Sequence, residues 1–166
     1  MLTAEYSSPV GPLLLVSSGE ALTGLYMERQ AHLPVIPEAV NDPGLSLFRT
    51  VRDRLDSYFA GEAPPVNDIP VAPEGGKFRQ IVWSLLRKIP YGSSATYGEL
   101  AKKTAALLGK PAMSAQAVGG AVGHNPIGIL IPCHRVLGTG GSLTGYAGGL
   151  ERKRFLLRLE RIPFRE

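Results

Sequence analysis

Apolar and polar positions near the start of the chain fall into three short runs, Ala4 to Ser8, Pro12 to Ser17 and Leu22 to Met27. Pro9-Val10-Gly11-Pro12 and Ser18-Gly19-Glu20 separate them, so the pattern predicts a three-stranded antiparallel meander. Residues 30 to 44 hold three prolines and little periodicity, which predicts an irregular connection with His32 solvated inside it. From Leu45 to Ala60 the period becomes helical: Phe48, Val51, Leu55, Tyr58 and Phe59 share a face, and Gly61 ends the pattern. This helix is expected to cover the sheet. Ala63 to Gly76, with Pro64, Pro65, Pro70 and Pro73, marks a domain boundary between residues 1–75 and 76–166.

In the second half, Phe78, Ile81, Val82, Leu85, Leu86 and Ile89 form an apolar helical stripe that stops at Pro90-Tyr91-Gly92, and Trp83 on that helix reads as packing. Thr96-Tyr97-Gly98-Glu99 has the spacing of a capping box, so a helix starts there. After a turn at Gly109-Lys110-Pro111, a short helix is predicted over Ser114 to Val122. Two short helices about a Gly-containing turn suggest a helix-turn-helix. The second helix is smooth, with Ala115, Ala117, Gly119, Gly120 and Ala121. Such a surface suits close approach to a nucleic-acid backbone or minor groove, or packing against a neighbouring helix. Ile127 to Ile131 reads as a short buried strand. The glycine-rich stretch 138–149 lacks phosphate-loop spacing but is able to close over a pocket. Leu150 to Arg161 reads as the last helix, with Phe155, Leu156 and Leu159 inward and Arg152, Lys153, Arg154 and Arg158 toward solvent or DNA. The fold class is α/β: a small antiparallel-sheet-plus-helix domain, then a mostly helical domain containing the helix-turn-helix.

Composition narrows the function. A chain of 166 residues, 44% hydrophobic, can bury a core without staples. Its single cysteine excludes an internal disulfide, and three histidines support no Cys/His zinc pattern. Met1-Leu2-Thr3-Ala4-Glu5 opens no signal segment and no apolar run reaches membrane-spanning length, so a cytoplasmic location is expected. Residues 1–75 hold four Lys/Arg against ten Asp/Glu, a balance of −6, while 76–166 hold fourteen against four, a balance of +10. That asymmetry favours a polyanionic partner for the second half over an ordinary solvated surface.

The chemistry centres on Ile131-Pro132-Cys133-His134-Arg135-Val136, where the only cysteine lies between a proline and a histidine. A thiol becomes a good nucleophile as its thiolate, and the cationic neighbours His134 and Arg135 would favour that form. Pro132 cannot donate to a sheet ladder, so pairing should stop there and leave Cys133 at the rim of the core. A lone cysteine is equally readable as a small buried hydrophobe.

Pro-Cys-His-Arg-Val, with Gly119-Gly120 and Asn125-Pro126 upstream and Tyr146-Ala147-Gly148-Gly149 downstream, resembles the O6-alkylguanine-DNA alkyltransferases. The likeness is close from about Phe78 to Glu160 and looser before it. It implies repair of double-stranded DNA by transfer of the alkyl group of O6-alkylguanine to Cys133 in a single turnover, with O4-alkylthymine left open as a further substrate. The nucleotide would be flipped out of the duplex. The resemblance makes Cys133 the acceptor, His134 the base acting through a water and Glu160 the carboxylate orienting it. Tyr97 would hydrogen-bond the guanine and rotate the flanking phosphate. Asn125 would tie the helix-turn-helix to the site, and Val136, Tyr146, Ala147 and Gly148 would line the base pocket. Ser114, Ala115, Gln116, Gly119, Tyr97 and Arg135 would meet DNA.

Two positions depart from the family pattern: Ala147 stands where some members have serine, and Gln116 stands where an arginine fills the gap left by the flipped nucleotide. No cofactor or structural metal is implied, and a monomer is expected, with cooperation on DNA left open. The rival readings are a lesion binder that does no chemistry, a helix-turn-helix regulator with a structural or redox cysteine, and a cysteine hydrolase.

Overall fold

The expected meander forms in the computed structural model, which describes residues Met1–Glu166. Strands β1 (Leu2–Ser8), β2 (Gly11–Ser17) and β3 (Leu22–Met27) pair antiparallel in sequence order. A fourth strand, β4 (Val40–Asn41), lies in the stretch expected to be irregular and pairs parallel with β1 at Leu2 and Thr3. Two residues are too few for a period to reveal. The sheet order is β3-β2-β1-β4. Leu13, Leu15, Leu22, Leu25 and Met27 are buried, each contributing about 1.5–3 kcal/mol by leaving water. Helix α1 (Ser46–Phe59) buries Phe48, Val51, Leu55 and Tyr58. It is tied to β1 where Tyr6 stacks on Phe59 at 6.3 Å and donates to Asp56 at 2.6 Å.

The apolar run Ile127 to Ile131 is not a strand. Pro126–Leu130 joins Met1–Glu74 in one compact unit, while Gly75–Asn125 and Ile131–Glu166 form the other. Ile127 makes a single parallel bridge to Leu25, after which the chain turns with Ile129 at φ +67°, rare for a β-branched residue. β-Branched composition favours extension, but a strand needs an open edge. Here β3 already bonds the 70–72 segment at Leu22, leaving only Leu25 for Ile127.

The second unit begins with α2 (Lys77–Leu86), whose Trp83 is buried and donates Nε1–H to the Ala121 carbonyl at 2.9 Å, the packing role expected. Strand β5 (Ala95–Thr96) leads into α3 (Tyr97–Leu108), and the capping box is present, with reciprocal Thr96 and Glu99 bonds of 3.1 Å. Gly109 closes α3 in the left-handed region at φ 67°, which only glycine enters cheaply. Helix α4 (Ala115–Gly123) is capped by Ser114, which accepts from the Ala117 amide at 2.9 Å. It buries Val118, Ala121 and Val122 and exposes Ala115, Gln116, Ala117 and Gly120. The small residues therefore divide between packing and an open face. Strand β6 (Val136–Leu137) pairs parallel with β5.

The last helix, α5 (Leu150–Leu159), takes a different phase from the expected one. Phe155 is 38% exposed, whereas Lys153 joins Leu156 and Leu157 in the interior with no exposure at all. Glu160 follows on the same face at the C-cap. Charge suggested solvent for Lys153, but the spacing 153, 156, 157 and 160 is one helical stripe. No helix is long and apolar enough to cross a membrane.

Candidate active site

Cys133 opens a short 3-10 turn, Cys133–Arg135, immediately before β6. The two-residue ladder opposes Ala95 to Val136 and Thr96 to Leu137, so Tyr97 starts α3 beside the cysteine turn. The thiol is buried at the floor of a pocket of about 200 Å³ lined by Tyr97, Gly119, Val122, Gly123, Cys133, Gly145, Tyr146 and Ala147. That is below the roughly 300 Å³ at which drug-sized sites begin, and suits one flat ring system. Helix α4 packs beside Tyr97 at Gly119, where an added Cβ would lie 3.8 Å from the ring, in ordinary van der Waals contact. The glycine-rich stretch does form a wall of the pocket. Its base is anchored by the cluster of Leu137, Leu157 and Ile162, on which Leu143 and Phe164 pack, and by a 2.6 Å bond from the Leu143 amide to the Arg165 carbonyl.

Burial pushes the Cys133 thiol up, and four interactions oppose it. These are a hydrogen bond from the Asn125 side chain, the positive charge of Lys153, a backbone hydrogen bond and the hydroxyl of Tyr146. Asn125 also donates Nδ2–H to the Ile131 carbonyl at 2.7 Å, closing the ends of the 126–130 excursion and so fixing the approach to Cys133.

The cation that favours the thiolate is therefore Lys153, and neither His134 nor Arg135 supplies that charge. Arg135 is 8% exposed, with Nε donating to Glu160 Oε1 at 2.8 Å and Nη1 to the Ile89 carbonyl at 2.6 Å. Expected at DNA, it instead locks the end of α5 to the chain after α2. A fork with two buried acceptors outweighs exposure to solvent. His134 is fully buried, and burial holds its imidazole below the ordinary range, in the neutral form that can accept a proton. Its Nε2 meets Glu160 Oε2. Burial alone would raise Glu160, but His134 and Arg135 overcome it and hold the carboxyl at about 2. Glu160 Oε1 also accepts from the Gly92 amide at 3.2 Å.

Lys153 was legible only as a surface charge. Its Nζ donates to the carbonyls of Val136 at 2.7 Å and of Thr144 and Gly145 at 3.3 Å, and burial lowers its pKa to about 8. The signal that would have found it is helical phase: Glu160 points inward, and 153 lies two turns before it on the same face. Val136 and Gly148 do not line the pocket. The Val136 side chain is buried in β6 and only its carbonyl serves the site, through Lys153. Gln116, Ala115 and Ser114 lie exposed on the open face of α4 and at its cap.

Residues 77–162 match the family described as 6-O-methylguanine DNA methyltransferase, DNA binding domain, and residues 1–73 match the 6-O-methylguanine DNA methyltransferase, ribonuclease-like domain. The chain is 48% identical over 159 residues to the methylated-DNA–protein-cysteine methyltransferase of Haemophilus influenzae, covering 96% of this chain and 86% of that protein. It is 47% identical over 154 residues to the protein of the same name from Mycobacterium tuberculosis, covering 93% and 88%. Among solved structures, that of Mycobacterium tuberculosis OGT in complex with DNA superposes with a TM-score of 0.86 at 44% identity, covering 98% of this chain and 96% of that one. An O6-methylguanine DNA methyltransferase from Methanococcus jannaschii gives 0.66 at 28% identity, covering 98% and 96%.

Proposed function

Since the chain belongs to the 6-O-methylguanine DNA methyltransferase family, we propose that it repairs DNA by moving the alkyl group of O6-alkylguanine onto Cys133. The observation that carries this reading is a single thiol at the floor of a ring-sized pocket, hydrogen-bonded by Asn125 and Tyr146 and facing the charge of Lys153. The pocket opens beside α4 of the helix-turn-helix, in the part of the chain with a balance of +10. An O6-alkyl group in stacked duplex cannot meet a buried sulfur, so the nucleotide leaves the stack, at a cost of about a few kcal/mol.

Neutral His134 takes the thiol proton through a water, and ionised Glu160 stabilises the imidazolium that results. The sulfur attacks the alkyl carbon in line as the carbon–oxygen bond breaks, and the electron pair leaves with guanine. Tyr97 hydrogen-bonds the departing ring. A thioether is not hydrolysed under these conditions, so each molecule reacts once. Residues 76–166 carry the acceptor and the DNA contacts, with Gln116, Ala115, Ser114 and Gly119 at the duplex. The protein works as a monomer in the cytoplasm and draws on no cofactor.

Intact-mass spectrometry after exposure to duplex O6-methylguanine DNA tests this. One methyl group is expected per chain, on Cys133, and Cys133→Ser should bind DNA without clearing methyl groups. Clearance by the serine variant, or turnover well beyond the protein present, would overturn the mechanism.

A further inference from the structure

Thr144 takes no part in the mechanism above and does not line the pocket, yet it reaches two of the groups that do the chemistry. Its hydroxyl donates to the Tyr97 oxygen at 3.2 Å, and its carbonyl accepts from Lys153 Nζ at 3.3 Å. Its methyl group packs where Gly138 has no side chain: a Cβ on Gly138 would lie 2.9 Å from Thr144 Cγ2. Backbone and methyl are thus both fixed, and the remaining substituent on Cβ is aimed at Tyr97.

A phenol has one hydrogen to give and lone pairs to receive. With Thr144 as the donor, the Tyr97 hydrogen is free to point away from Thr144, and Tyr97 lines the pocket. We propose that Thr144 is a positioning residue for proton delivery, which turns the Tyr97 hydrogen toward the departing base and steadies the phenolate left behind. The proposal rests on the alkyl-transfer reading. As the sulfur–carbon bond forms and the carbon–oxygen bond breaks, guanine keeps the electron pair and takes the Tyr97 hydrogen. The proton that His134 took from the thiol, relayed through solvent, then restores the phenol. Burial raises Tyr97 above the ordinary phenol range and the Thr144 hydrogen bond opposes that rise, in line with this role.

Thr144→Val removes the donor and keeps the shape, while Thr144→Ser keeps the donor. Two alkyl donors separate the proposed role from a structural one. Duplex O6-methylguanine has a leaving group that needs a proton; iodoacetamide releases iodide, which needs none. Single-turnover methyl transfer should slow about tenfold in Thr144→Val, the scale of one hydrogen bond to a developing charge. Its iodoacetamide rate should match wild type, and Thr144→Ser should recover methyl transfer. In a Tyr97→Phe background, Thr144→Val should add no further loss. Thr144→Ala, which lacks the donor and adds no bulk, gives the same test should the valine variant misfold. Methyl transfer at the wild-type rate without the donor, or equal losses with both reagents in a folded variant, would overturn the proposal. Wild type that reacts with iodoacetamide but takes no methyl from DNA would instead overturn the alkyl-transfer reading itself, and this proposal with it.

Discussion

Lys153→Met removes the one cation that faces the acceptor sulfur while keeping an unbranched side chain of similar length. In the wild type the ammonium is buried among the carbonyls of Val136, Thr144 and Gly145 and lowers the Cys133 thiol against the effect of burial. A nearby opposite charge moves an acid by about 1 to 3 pKa units. Because Lys153 shares its charge with three carbonyls, the low end applies. The thiol should therefore be harder to ionise, leaving about tenfold less thiolate near neutral pH.

The rate of iodoacetamide alkylation at pH 7, where Lys153 with its pKa of about 8 still carries its charge, measures this directly. The same substitution has an opposite signature in stability. Lys153 titrates at about 8 in the fold, against 10.5 as its ordinary value. Its folded pKa is depressed, so the unfolded chain holds the proton to higher pH. Stability accordingly rises as pH climbs from about 8 toward 10.5. At about 1.36 kcal/mol per pKa unit, the full effect is about 3 kcal/mol. Denaturant melts at pH 7 and 9.5 should show wild type gaining on Lys153→Met. An unchanged alkylation rate at pH 7 in a folded variant would refute the assignment of Lys153 as the thiolate's counter-charge.

Glu160→Gln leaves Arg135 buried without its partner and should destabilise the fold by about 3–5 kcal/mol in urea melts. Because the Glu160 carboxyl sits at about 2, below its ordinary 4.5, its stabilisation is present above 4.5 and lost as pH falls toward 2. The glutamine variant should lack that acid limb, and an identical limb in both proteins would count against the buried pair. Gln116→Arg adds charge and a planar group on the exposed face of α4. It should speed transfer from duplex by about 1 kcal/mol in single-turnover kinetics and leave the reaction with free O6-alkylguanine base unchanged. Equal acceleration on both substrates would place residue 116 inside the pocket.

Local patterns were enough to specify many parts of this chain. The strand alternation, the Phe48 to Tyr58 stripe, the Thr96 and Glu99 box and the Ser114 cap all report interactions within a few residues, so the linear order contains them. Pro-Cys-His-Arg-Val and its flanking glycines likewise announced the acceptor and its family. What the order of residues does not encode is which side chains meet across elements. Arg135 follows His134 in the chain, yet the fold spends its guanidinium on Glu160 and Ile89. Lys153 sits twenty positions beyond Cys133 and supplies the charge that sequence neighbours seemed to offer. Ile127 to Ile131 carries strand composition but finds only one free position on β3. In each case local propensity set a preference, and competition for buried hydrogen-bond partners, which exist only once the elements are packed, decided the outcome.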